Sequence, residues 1–163
     1  MDTQTLDAHE VFGFLRPDQL DTISSAAEVI SVKAGDIVYS KGEDVTHFYT
    51  VLDGQVALRL PGRDRNDVII DHLDKGAMFG SCICFKLDNY ALTAQCIEDS
   101  KLLRIDAAAF SKMMDRDPRT GYSIQTRFSE IYFKRYVETM RRLQAIVLIS
   151  LCKRIDHTFS LLY

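Results

Sequence analysis

The stretch Phe48-Tyr49-Thr50-Val51-Leu52-Asp53-Gly54-Gln55-Val56-Ala57-Leu58-Arg59-Leu60 decides the fold. Two β-rich segments flank Asp53-Gly54. Val56, Leu58 and Leu60 alternate with other side chains, which marks a strand with one face in a core. Glycine reaches positive φ at little cost, so the spacing predicts a tight hairpin at Asp53-Gly54.

The rhythm continues on both sides. Val29, Ile30 and Val32 precede Ala34-Gly35-Asp36, and Ile37, Val38 and Tyr39 precede Lys41-Gly42-Glu43-Asp44. Val68, Ile69, Ile70 and Leu73 lead to Lys75-Gly76, and further strands fit residues 91–97 and 101–105. Many short strands with glycine turns at such intervals predict a closed or rolled antiparallel sheet. Outside it the spacing is helical. Residues 9–27 place Val11, Phe12, Leu15, Leu20 and Ile23 at three- and four-residue steps, divided by Pro17. Asp106 is placed to cap a helix through Phe110 and Met113 that ends at Asp117-Pro118.

From 119 to about 154 no proline intervenes, so one helix on the order of 50 Å is expected. Phe133, Met140 and Val147 are seven apart, as are Tyr136 and Leu143, which makes an a/d seam over about two heptads. The expected class is α+β: an antiparallel β-roll of jelly-roll or double-stranded β-helix type with N-terminal helices and a long C-terminal dimerisation helix. Residues 1–118 form the roll domain in this reading, and residues 119–163 the helix and tail. A homodimer through that helix is the expected assembly. Ala145-Ile146-Val147-Leu148 is apolar around most of the helix, which asks for a broader contact than one seam.

Composition excludes several roles. The 163 residues are 47% hydrophobic and carry a formal net charge of −3, which suits a real core and disfavours a nucleic-acid-coating surface. No helix-turn-helix pattern follows the long helix, so DNA binding is not expected. Residues 145–151 are too short a run to cross a bilayer, and Met1 to Glu10 is polar, unlike a signal peptide. Cys82, Cys84, Cys96 and Cys152 give no paired zinc spacing, and a reduced, cytoplasmic protein follows. A redox or metal sensor built on Cys82 and Cys84 is the sharp alternative to ordinary core thiols. His9, His47, His72 and His157 are scattered, with no local sign of a haem ligand. No Walker loop, HExxH or nucleophile elbow is present, so no enzymatic activity is expected.

The segment 79–91, Phe79-Gly80-Ser81-Cys82-Ile83-Cys84-Phe85-Lys86-Leu87-Asp88-Asn89-Tyr90-Ala91, interrupts the strand rhythm. Ser81 is a good cap for a short helix through Phe85, whose free N–H groups would favour an anion. Here the order of signals resembles the cyclic-nucleotide-binding domain shared by catabolite-activator-type regulators and cyclic-nucleotide-dependent kinases. Residues 34–43 and 48–56 resemble its two glycine-turn signatures. Gly76-Ala77-Met78-Phe79-Gly80 resembles the start of its phosphate-binding cassette, and residues 99–106 the strand that closes the roll.

The resemblance implies a ligand-sensing regulatory module. Its ligand would be a cyclic nucleotide or another small anion, touched by Gly80, Ser81, Cys82, Ile83, Tyr90, Ala91 and Thr93. It also implies a departure. The family cassette has a glutamate for the ribose where this chain has Ser81, an arginine for the cyclic phosphate where it has Tyr90, and proline where it has Asn89. Losing one partner of a buried charge-assisted pair costs about 2–5 kcal/mol, or roughly one and a half to four decades of affinity. Two readings stay open: weak or altered nucleotide binding coupled to the dimer helix, or an interaction scaffold whose pocket is filled by Tyr90, Phe79 and Phe85.

Overall fold

A computed structural model describes residues 12–13, 15–62, 67–80 and 87–160, with side chains described to residue 148 apart from Thr22. Eight strands follow the first described helix, α1 (Pro17–Ser25): β1 (Ala27–Val32), β2 (Ile37–Tyr39), β3 (His47–Asp53), β4 (Val56–Leu60), β5 (Val68–Leu73), β6 (Met78–Phe79), β7 (Thr93–Cys96) and β8 (Ser100–Asp106). Two helices complete the order, α2 (Ala107–Arg116) and α3 (Pro118–Ser160). The strands form two four-stranded antiparallel sheets, ordered β1-β8-β3-β6 and β2-β7-β4-β5. This is the α+β roll, with helices before and after it, that the strand rhythm predicts.

Sheet pairing corrects one local expectation. β3 pairs with β6 and β8, whereas β4 pairs with β5 and β7. Asp53-Gly54 therefore carries the chain from one sheet to the other and does not close a hairpin. The strand signal reads each segment's period but not its partner. Gly54 has φ +85, and a Cβ there would lie 2.7 Å from the Asp99 carbonyl oxygen and 2.8 Å from Ser100 Cα. The crossing thus needs glycine for close approach as well as for conformation.

Each sheet alternates its faces. Tyr49 and Val51 of β3, Leu102 of β8, Val56 of β4, and Ala94 and Cys96 of β7 point into the roll with Tyr39, Phe79, Leu73 and Tyr90. The opposite face of the first sheet presents Phe48, Leu103 and Ile105, all fully buried. Phe110 of α2 closes on that face, its ring 4.9 Å from Phe48 and 6.3 Å from Phe12, both edge-on. β3 and β8 therefore bury residues on both faces of the first sheet, as the run Phe48-Tyr49-Thr50-Val51 in β3 shows.

Capping follows the sequence. Asp106 Oδ1 accepts from the Ala109 N–H at 2.6 Å, starting α2 directly from the end of β8. Replacing it with alanine is expected to lower stability by about 1 kcal/mol. A urea midpoint that did not move in Asp106→Ala would show that the cap contributes nothing. Pro17 occupies the first turn of α1, where a missing N–H costs least. The Arg16 N–H donates to Gln19 Oε1 at 2.9 Å across that turn.

The chain forms two compact units, Met1–Ile124 and Gln125–Tyr163. The second continues α3 and carries surface ion pairs between Arg127 and Glu130 and between Arg142 and Glu138, both at 2.8 Å. Its seam residues Phe133, Tyr136, Met140, Leu143 and Val147 are all exposed, as are Ile146 and Leu148. No helix among the described residues is long and apolar enough to cross a membrane.

Candidate functional site

Tyr90 holds the centre of the roll. It is 3% exposed, and its ring stacks on Tyr39 with centroids 3.7 Å apart and planes 11° from parallel. Tyr49 and Phe79 extend the cluster: Tyr39 lies 5.8 Å from Tyr49, and Tyr49 stacks on Phe79 at 5.2 Å. The Tyr90 hydroxyl donates to the His47 carbonyl oxygen at 2.6 Å and accepts from the His47 N–H at 3.2 Å. A buried tyrosine needs such a partner, and the edge of β3 supplies both halves of it. Burial, and the Tyr90 hydroxyl to which it hydrogen-bonds, push the Tyr49 phenol well above its ordinary range. That group stays protonated under all ordinary conditions.

The backbone around Tyr90 is fastened as firmly as its side chain. The Tyr90 N–H donates to the Glu43 carbonyl at 2.9 Å, and the Tyr90 carbonyl accepts from Gly42 at 2.8 Å. The Val45 N–H donates to Asp88 at 2.8 Å. Asn89 adds side-chain bonds from Nδ2 to the Gly42 carbonyl at 3.0 Å and to Asp44 Oδ1 at 3.1 Å. Glu43, Asp44 and Asp88 are exposed on these paired segments beside the exposed Lys41, so acidic residues outnumber basic ones there. Gly80 has φ +72, and a Cβ there would meet Tyr39 and Tyr49 at 3.2 Å and Tyr90 at 3.4 Å. Aromatic rings occupy the space that a small cassette glycine leaves open.

The other residues named from sequence fall in three places. Ala91 is exposed beside Tyr90. Thr93 opens β7, and its Oγ1 accepts from the Lys41 N–H at 3.0 Å. Alternation sets Thr93 on the face of β7 opposite the core-facing Ala94 and Cys96. Ser81, Cys82 and Ile83, with the short helix expected there and Cys84, lie outside the described residues. Cys96 is buried, and burial pushes its thiol up, which suits an inert core thiol better than a reactive one. Burial, helped by Arg104, holds His47 below the usual histidine range, so its imidazole is neutral at pH 7. Among the described residues no His, Cys, Asp or Glu cluster could hold a metal ion.

Sequence reasoning missed Tyr39, Tyr49 and His47 as partners of the cassette. Each reads as an ordinary strand or turn residue, and only the closed roll brings residues 39, 47 and 49 to residue 90.

The sequence profile of the cyclic nucleotide-binding domain matches residues 29–117. The chain belongs to the cyclic nucleotide-binding domain family. Solved members of similar fold include the sensor domain of the transcriptional regulator DNR from Pseudomonas aeruginosa. It is 23% identical, covers 83% of this chain and 91% of its own, and has a TM-score of 0.70. Catabolite activator protein from Thermus thermophilus is 19% identical, with 84% of this chain and 62% of that one covered and a TM-score of 0.66. Among curated proteins, lysophospholipase nte1 of Aspergillus oryzae is 26% identical over 111 residues, or 68% of this chain. The chain spans 7% of that enzyme's length, so the likeness concerns a regulatory-type domain within a much larger protein. In this cyclic nucleotide-binding domain, Tyr90 lies within the matched range and in the core of the roll.

Proposed function

We propose that this chain is a non-catalytic regulatory module of the cyclic-nucleotide-binding type with weakened or altered nucleotide binding. One observation carries the reading. Where the family resemblance implies an arginine for the cyclic phosphate, Tyr90 is 3% exposed, stacked on Tyr39 and hydrogen-bonded to the His47 backbone. A phenol so placed offers no positive charge to a phosphate, and removing it from the cluster costs packing and two hydrogen bonds. The proposed ligand contacts are Gly80, Ser81, Cys82, Ile83, Tyr90 and Ala91; Thr93, on the outer face of β7, leaves the set. The sensing part is residues 1–118 and the output part residues 119–163. The module works in the cytoplasm as a homodimer, with occupancy of the roll changing the geometry of α3. The exposed seam Phe133, Met140 and Val147 supports that assembly.

The same stack favours a second reading, a scaffold whose pocket is filled and binds nothing. Calorimetric titration with cyclic AMP, cyclic GMP and cyclic dinucleotides separates the two. The regulatory reading expects heat from at least one of them. It also expects cyclic AMP affinity at least about thirtyfold weaker than in the Ser81→Glu/Tyr90→Arg variant, which restores the family pair. Silence with every nucleotide, and no shift in melting temperature, favours the scaffold. Sub-micromolar cyclic AMP binding by the unaltered chain would refute the claim of weakened binding.

A further inference from the structure

The geometry points to a second small-molecule site, between α1 and α2 and separate from the roll interior. A cavity of about 400 Å³ opens there. Pockets that enclose small molecules begin at roughly 300 Å³. Three cations and two carboxylates line it, namely Arg16, Lys112 and Arg116 against Asp18 and Asp117. The local excess is thus positive, in a chain whose net charge is −3.

The carboxylates are already engaged. Asp18 takes Arg16 through both oxygens at 3.1 Å. Asp117 accepts from the Thr120 N–H at 3.1 Å, from Thr120 Oγ1 at 2.7 Å and from Gln19 Nε2 at 3.0 Å. Lys112 and Arg116 differ. They lie four residues apart on α2, on one face, and both are exposed. Among the described residues neither has an ion-pair partner. Like charges at this spacing repel, and an anion set between them relieves the repulsion. Arginine offers a planar fork to a carboxylate or phosphate, and lysine adds a mobile point charge. Met113 and Ala109 supply an apolar wall for the rest of a ligand.

We infer that this cavity binds a small phosphate- or carboxylate-bearing molecule through Lys112 and Arg116. Its position gives the site an output. Gln19, which lines the cavity, also donates to Thr120 Oγ1 and Asp117, the groups that hold the first turn of α3. An occupant that favours one arrangement of Gln19 therefore biases how that turn is held.

The test is calorimetric titration of the full chain with pyrophosphate and, separately, with citrate, in buffers matched for ionic strength. One saturable site is expected, with the stronger of the two probes naming the anion class. Lys112→Gln/Arg116→Gln should weaken that binding at least about tenfold while leaving the melting temperature without ligand unchanged. Arg116→Lys, which keeps the charge and loses the fork, should fall between, and it serves if the double variant fails to fold. Absence of saturable binding by either probe overturns the inference. Equal binding by wild type and variants also overturns it, because the anion is then held elsewhere, the roll included.

Discussion

Tyr90→Ala is expected to lose about 3–5 kcal/mol of folding stability, seen as a large fall in the urea midpoint. The removed ring leaves a void lined by Tyr39, Tyr49 and Phe79, whose positions are fixed by two different sheets and cannot close over it together. The hydroxyl goes too, leaving the His47 N–H and carbonyl without their partner. Tyr90→Phe separates these effects. It keeps the ring and loses the hydrogen bonds, and should cost about 1–3 kcal/mol. If Tyr90→Ala unfolds at the wild-type midpoint, the stack is not a core element and the case for weakened nucleotide binding loses its footing. The prediction links stability to function. In the proposed reading, the residue that replaces the phosphate-binding arginine is part of what holds the roll together.

Gly54→Ala should be nearly as damaging, at about 3 kcal/mol. Positive φ alone costs an alanine roughly 1–2 kcal/mol. Here the new Cβ also falls within 3 Å of backbone atoms of Asp99 and Ser100, and backbone cannot rotate out of the way as a side chain can. Gly35→Ala is the matched comparison. Its φ is +90, but nothing lies within 4 Å of the added carbon. It should therefore show the conformational cost alone, about 1–2 kcal/mol. Parallel denaturation of the two variants checks the difference. Equal losses would mean that the crossing between sheets is looser than the contact distances imply.

The roll was legible because its signals are local. Apolar runs at 29–32, 47–53, 56–60 and 68–73, bounded by glycine turns, each mark a strand. Positive φ at Gly35, Gly42, Gly54, Gly76 and Gly80 matches the glycines that punctuate the sequence. Asp106 marks the start of α2 and Asp117-Pro118 its end by the chemistry of their own residues. What stayed hidden depends on distant parts of the chain. Nothing in the neighbourhood of Asp53-Gly54 says that β3 and β4 enter different sheets. β6 at Met78–Phe79 is too short to show a period. At the site, the resemblance singled out Tyr90 as standing where the family cassette has an arginine. Its partners were not legible, because Tyr39 and His47 join it only through long-range closure. Asn89 shows the same limit. It reads as a missing proline, and its amide turns out to tie Gly42 and Asp44 to the cassette.

The tyrosine cluster also makes the domain self-reporting. The chain has no tryptophan, so its near-ultraviolet spectrum belongs to seven tyrosines and nine phenylalanines. Two of those phenols lie face to face 3.7 Å apart, close enough for their electronic transitions to mix and produce a circular-dichroism band that isolated rings lack. A third, Tyr49, turns into the red-absorbing phenolate only at strongly alkaline pH. Any event that prises the barrel interior apart changes both signatures at once, with no dye attached.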